Sequence, residues 1–485
     1  DWSSDVCSSD LGRSLTVVSA GLMISAGLMV LLGGVLLCET GSVVYGQTAG
    51  SSADEGDRVV IPAVVHEAGQ LGPGWARTKV NMAIFRHSAV DSFADRQVAG
   101  WYDGEGRVCL AERHHGADVW RVRVTELRGH AADAHNVISL AFDGAGELHV
   151  SWDHHGHPLR YVRIPAAADL RPGSQLSMVG QGESRVTYPE FYRLPDGDLL
   201  FFYRDGASGA GNLVLNRYRL SRAGETGGWQ RVQDNLIDGE GQRNSYWQVA
   251  VDGAGVIHLS WVWRETPDVV TNHDLCYARS EDGGLTWTDS AGRRLAVPIT
   301  AANAEYALRI PVGSELANQT SMAVDGSGRP VIATFWRGAV GEVPQYRLVY
   351  LTESGWRVSQ VGQRTLDFER RGSGTKRPPV SRPLVLLESV AGSRRCVVLF
   401  RDQELGGGIV AAVASDYERG PWEFHRLTDA VGQADPLVDF SIWRQQSQVH
   451  LLSQMTGQGD GERQESVEPT QVRLLEWRVA WPSVR

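Results

Sequence analysis

Side chains that move protons or hold anions recur at matched places along this chain. His135 lies eight residues before Asp143, and Tyr188 lies eight before Asp196. Tyr246 lies six before Asp252. His115, His155, Arg264 and Arg337 each lie twelve after an aspartate, namely Asp103, Asp143, Asp252 and Asp325; Arg204 lies eight after Asp196. Phenol and imidazole groups give and take protons near neutral pH. A guanidinium binds a carboxylate through two parallel hydrogen bonds. Together they suit a uronic acid, which carries a carboxylate at C6 and an acidic hydrogen at C5. A base removes the C5 proton, a cation neutralises the carboxylate, and an acid protonates the departing O4. Hydrolysis would instead need two carboxylates about 5–9.5 Å apart. Asp153, Glu190, Asp205 and Glu265 are available, but the counting pairs none of them.

The aspartates used for counting belong to a repeat. Ile138-Ser-Leu-Ala-Phe142 runs into Asp143-Gly144 and on to Leu148-His-Val-Ser-Trp152. Trp247 to Val251, Asp252-Gly253 and Ile257 to Trp261 repeat the pattern, as do Ser321 to Val324, Asp325-Gly326 and Val331 to Trp336. Weaker copies sit at Trp101-Tyr-Asp103-Gly104 and Phe191 to Gly197, and degenerate ones near residues 384–400 and 438–452. Each reads as a β-hairpin with a tight turn, followed by outer strands that carry Trp120, Trp229, Trp287, Trp356 or Trp422. One small sheet cannot bury both faces, so the copies must stack. Counting gives seven copies of roughly sixty residues, longer than the usual propeller repeat. The expectation is an all-β, seven-bladed β-propeller over residues 55–485, with a six-bladed ring plus a hairpin as the alternative.

Ser280-Glu-Asp282-Gly-Gly284-Leu-Thr286-Trp287 matches the Asp-box pattern of propeller corners, where Asp and Ser cap a turn and Trp packs between blades. His149 and His258 recur at one place in the repeat and are assigned to structure. In a propeller the early strands line the central channel, and the second strand returns antiparallel beside the first. The counting therefore gathers His115, His135, His155, Tyr188, Arg204, Tyr246, Arg264 and Arg337 at one mouth. Inward polar groups there cost desolvation unless paired or functional.

Composition narrows the class. The 485 residues carry a net charge of -10, which argues against general nucleic-acid binding. Lysine occurs only at Lys79 and Lys376, so arginine supplies nearly all the positive charge. Five cysteines, three of them after residue 50, do not make a disulfide framework. Residues 1–11 read as neither leader nor fold. Arg13, the apolar run Leu15 to Leu37 and the small-residue exit ending near Gln47 read as an export signal or retained anchor over 12–49, and hence as a secreted, periplasmic or cell-surface protein.

The chain resembles the propeller polysaccharide lyases that degrade ulvan and their relatives in the BNR-repeat group. The resemblance is carried by Asp133-Ala-His135-Asn136, Asp153-His-His155, Thr187-Tyr188-Pro189-Glu190-Phe191 and Tyr203-Arg204-Asp205-Gly206. It continues through Ser208-Gly209-Ala-Gly211-Asn212, Thr271-Asn272-His273-Asp274 and Asn318-Gln319. It implies Tyr188 as the proton-abstracting base, with the acid role open between Tyr188 and His135, His135 as its partner in proton transfer, Arg204 as the neutraliser of the uronate carboxylate, and His155 as a group that orients the substrate or assists at the leaving side. Tyr246, Arg264, Asn136, His115, Arg337 and Gln319 would contact sugar. The implied partner is an acidic polysaccharide, with neither nucleic acid nor a protein partner, acted on by a monomer. No cofactor is required for elimination. A structural zinc or calcium is implied in the family, with His273 and Cys276 as its ligands here. The same group includes rhamnosidase-like hydrolases, and a non-catalytic glycan-binding propeller is a third reading. Arg309-Ile310-Pro311 looks like a sialidase arginine motif but follows the Asp box, so it reads as a blade connection.

Overall fold

The computed structural model describes residues 59–207, 211–224 and 226–482. The assigned leader or anchor, the segment before it and Ser208-Gly209 of the resemblance lie outside the described residues. Among the described residues no helix is long and apolar enough to cross a membrane.

Seven sheets form seven blades, as the repeat predicts. Blade one is Val90–Phe93, Arg96–Tyr102, Arg107–His114 and Arg121–Arg128. Blade two begins with Ile138–Phe142 and Leu148–Trp152, blade three with Val186–Arg193 and Leu199–Asp205, and blade four with Asn244–Val251 and Ile257–Arg264. Blades five and six begin with Ser321–Val324 and Leu384–Leu387. Blade seven closes the ring. Its strand Thr470–Arg478 pairs with Gln448–Ser453 on one side and, on the other, with His66–Gly74 from the start of the propeller. Joining the two chain ends in one sheet leaves no open gap in the ring.

The repeated aspartates build these hairpins by one device. Asp143 Oδ1 accepts the backbone N–H groups of Ala145 and Glu147 at 2.9 and 3.0 Å. Asp252 and Asp325 do the same two and four residues on. Each carboxylate thus satisfies a tight turn that would otherwise leave donors open. Beside two of these turns sit the repeat's histidines. His149 meets the Tyr161 hydroxyl and His258 meets that of Tyr277, both at 2.8 Å. The Asp box works as its pattern requires. Ser280 Oγ takes the Gly284 N–H, Asp282 takes the Thr286 N–H, and the Trp287 ring is fully buried.

One turn departs from the repeat. In blade one the Asp103-Gly104 turn joins the second and third strands; the first turn is Ala94-Asp95. Counting from Asp103 therefore follows the wrong strand. His115 lands at the far mouth of the channel, with its backbone N–H on the Asp95 carbonyl and Nε2 beside Ser92 Oγ. In blade seven the first turn is replaced by α1 (Phe440–Gln446), capped by Asp439.

Candidate active site

A cavity of about 320 Å3 opens at the mouth opposite those first turns. Blades two to seven and their connections reach it, and the segment before blade one adds Lys79 and Phe85. His135 comes from the segment leading into blade two, His155 from the short strand His155–His157 that pairs with blade three, Tyr188 and Arg204 from blade three, and Tyr246 and Arg264 from blade four. Gln319, Arg382, Asp435, Glu462 and Lys79 complete much of the wall.

Tyr188 reaches the cavity through a break in its strand. The ladder shifts between Thr187 and Glu190, and Tyr188 adopts φ 56°, a left-handed conformation. A bulge of this kind re-aims a side chain. For a tyrosine it costs about 1–3 kcal/mol, which surrounding contacts must offset. Those contacts are aromatic: Phe85 at 5.4 Å, Trp247 at 5.9 Å and Tyr246 at 6.2 Å between ring centres. Tyr188 is only 4% exposed. That burial, with Tyr246 beside it, pushes its phenol well above the ordinary value, against the pull of Arg204, Arg264 and Arg382. The neighbouring arginines therefore do not make it acidic, contrary to the usual expectation for a phenol among cations.

Arg204 lies over the Tyr188 ring, with Cζ 5.1 Å from its centre. It is 4% exposed, yet among the described residues no hydrogen bond or carboxylate reaches it, and its Nε is shut off from solvent without an acceptor. Gly211 makes room, since a Cβ there would stand 2.7 Å from Arg204 Cδ. Arg264 differs. It donates to the Tyr246 hydroxyl at 3.1 Å and to backbone carbonyls in its own loop. Lys79 is held by Asp435 at 3.1 Å, and burial pulls its ammonium down to about 8 despite that partner.

The two histidines share one carboxylate. Asp133 Oδ1 lies 2.9 Å from His135 Nδ1, and its Oδ2 lies 2.6 Å from His155 Nδ1. The imidazole rings stack with centres 4.1 Å apart. Glu462, from the loop between the last two strands of blade seven, comes within 3.3 Å of His135 Nδ1. Burial disfavours a charged His135, but Asp133 and Glu462 outweigh it and push its pKa up to about 9. In return the imidazoles hold Asp133 well below the usual carboxylate range, against its burial. Both carboxylates fell outside the expected site. Asp133 was visible beside His135 in the sequence; Glu462 sits 327 residues beyond it, with no local signal.

The sequence-derived set thus divides. Tyr188, His135, Arg204, His155, Tyr246, Arg264 and Gln319 line one cavity; His115, Asn136 and Arg337 do not. Asn136 is fully buried behind the wall, where its Nδ2 donates to the His130 carbonyl. Arg337 stands at the expected height but is tied to Asp367 at 2.8 Å and to the Phe368 carbonyl. Among the described residues His273 and Cys276 do not belong to a cluster of three or more converging metal-ligand atoms. Both nitrogens of His273 face carboxylates, Glu265 at 2.8 Å and Asp274 at 3.1 Å. The Cys276 thiol is buried in an apolar cluster with Trp261 and Trp263. A bulge at Asp274 (φ 55°) sets His273 and Cys276 opposite Trp263 and Trp261, but among the described residues no third donor converges on them. Arg309 pairs with Asp274 and leads into blade five, as a connection would.

Residues 96–364 match the family described as BNR repeat-containing. No curated protein matches the sequence. Among solved structures, the polysaccharide lyase Uly1 superposes with a TM-score of 0.57 at 16% identity, over 86% of this chain and 97% of that one. An ulvan lyase of family PL25 gives 0.56 at 15% identity, over 85% and 95%. The same enzyme bound to -[GlcA(1-4)Rha3S]- gives 0.55. At such identities the likeness is one of fold. With more than half of its length matched, the chain belongs to the BNR repeat-containing family, as a seven-bladed propeller of the kind found in polysaccharide lyases.

Proposed function

We propose that this protein is an exported lyase that cleaves a uronate-containing, ulvan-like polysaccharide by β-elimination. The observation that carries the reading is Arg204. A buried guanidinium without an anionic partner is costly, and a uronate carboxylate entering the cavity supplies that partner. The flanking groups then fall into roles. Two stacked imidazolium rings repel, so elimination through the His135–His155 pair calls for one charged ring and one neutral ring. With each Nδ1 turned to Asp133, the neutral ring presents Nε2 as a proton acceptor. The pair therefore offers a cation to the carboxylate and a base for the C5 proton. Burial keeps the Tyr188 phenol protonated, which makes it the donor to O4. As the C5–H bond breaks, its electrons form the C4=C5 double bond, the C4–O4 bond opens, and Tyr188 protonates the leaving oxygen. Arg204 stabilises the charge that builds on the carboxylate.

The carboxylates favour this reading over hydrolysis. Asp153, Glu190, Asp205 and Glu265 do not line the cavity. Glu190 is buried beneath it, bonded by the Tyr192 hydroxyl and Trp247 Nε1. The two acids that do line it are engaged, Asp435 with Lys79 and Glu462 with Thr375 and His135. Incubation with ulvan and other uronate polysaccharides tests the proposal. Elimination leaves an unsaturated uronate that absorbs near the ultraviolet edge, and its product is one water lighter than a hydrolytic one. New reducing ends without that absorbance would make the protein a hydrolase. Affinity without any product would make it a binding module.

A further inference from the structure

We propose that Asp133, His135 and His155, completed by Glu462, form a binding site for a divalent transition-metal ion such as zinc, and that the ion switches the cavity off. The inhibitory half rests on the lyase reading; the binding half stands on geometry alone. Among the described residues this is the cluster of His, Cys, Asp and Glu whose ligand atoms converge, all within 4.8 Å of one another. Glu462 Oε1 adds a fourth donor, 3.3 Å from His135 Nδ1. Four-coordinate zinc holds His nitrogens and carboxylate oxygens at about 2.0–2.2 Å, which sets neighbouring donors roughly 3.3–3.5 Å apart. The Asp133–imidazole separations of 2.9 and 2.6 Å need only open by several tenths of an ångström to accept it.

Two further features point to a cation. Glu462 Oε2 is shut off from solvent and receives no hydrogen bond. Glu462 Oε1 is fixed by the backbone N–H of Thr375 at 2.6 Å and its hydroxyl at 3.0 Å, an outer contact of the type that orients a ligating carboxylate. Two imidazoles with carboxylates suit zinc, copper or nickel and do not suit magnesium or calcium, which take oxygen donors. Once bound, the ion occupies both Nδ1 atoms and Asp133. A neutral ring ligated through Nδ1 carries its proton on Nε2, so the cavity loses its proton acceptor.

The test is zinc titration of the full chain against a chromophoric chelator, followed by activity. The expected result is one zinc per chain, displaced by neither magnesium nor calcium. His155→Ala and Asp133→Ala should each weaken it at least tenfold, and His273→Ala should leave it unchanged. Zinc should raise the melting temperature of the wild type and not that of His155→Ala. Wild-type affinity in His155→Ala, or loss in His273→Ala alone, overturns the site. On a polysaccharide that is cleaved, saturating zinc should slow elimination at least tenfold, with recovery on chelation. Cleavage that continues unslowed overturns the inhibitory role. Site-specific binding with no cleavage of any uronate polymer upholds the site and removes the lyase reading instead.

Discussion

Blade three carries two arginines at opposite mouths of one channel. Arg193, at the turn mouth, donates to the carbonyls of Phe142 at 3.0 Å and Ser92 at 2.8 Å, and to Ser441 Oγ at 2.7 Å, and it faces Asp91 at 3.4 Å. Arg204, one strand later at the cavity mouth, has none of these. Both are polar, inward and largely buried. The difference separates an arginine that closes a structure from one that waits for a ligand. It also extends to the mouths themselves. The turn mouth is stitched by the helix α1, whose cap Asp439 receives Ser92 Oγ at 2.5 Å and Gln97 Nε2 at 2.7 Å. The cavity mouth keeps Arg204 Nε and Gln319 Nε2 buried and unpartnered.

The contrast can be broken experimentally. Tyr188→Phe removes the proposed donor and keeps the ring packing. Turnover should fall about 10^3-fold, in the range for general acid catalysis, with melting temperature nearly unchanged. Retained turnover would take Tyr188 out of the chemistry. Arg204→Ala should lower turnover about 10^2- to 10^3-fold through lost charge stabilisation, and it should not destabilise the fold, because no partner is orphaned. A large loss of stability there would show that Arg204 is structural after all. Arg193→Ala should give the mirror image: about 3 kcal/mol less stable, since it strands Asp91, with turnover per folded molecule within twofold of wild type. A turnover loss as large as that of Arg204→Ala would erase the distinction between the two mouths.

The smallest effect concerns Glu190. Burial pushes its carboxyl up to about 8. Its protonated form is the one the fold accepts, so its contribution is complete below the unfolded value near 4.5. That contribution is lost progressively as pH rises towards 8, and the loss levels off above it. Glu190→Gln should therefore flatten the fall in melting temperature between pH 5 and 8. An unchanged slope would mean that the carboxyl ionises freely in the fold.

Much of the site was legible because hairpin periodicity converts counting into height. His135, Tyr188, Arg204, Tyr246 and Arg264 all reach the cavity from turn counts. His115 failed because Asp103 closes the wrong pair of strands, and nothing in the local sequence separates an Asp-Gly turn between first and second strands from one between second and third. Arg337 failed although its height was right, because its direction is set by Asp367, thirty residues on. His273 and Cys276 looked like half a metal site; in the structure two carboxylates engage His273 and an apolar cluster surrounds Cys276.

The sequence by itself determined the seven repeats, their turn chemistry and the heights at which polar residues leave each blade, because these depend on short-range hydrogen bonding and alternation. Only the tertiary structure decided which of those residues meet and which are already satisfied. Ring closure brings Glu462 to His135, and among the described residues Arg204 is left without an ionic partner. Such pairings depend on where distant loops end, and no local pattern records that.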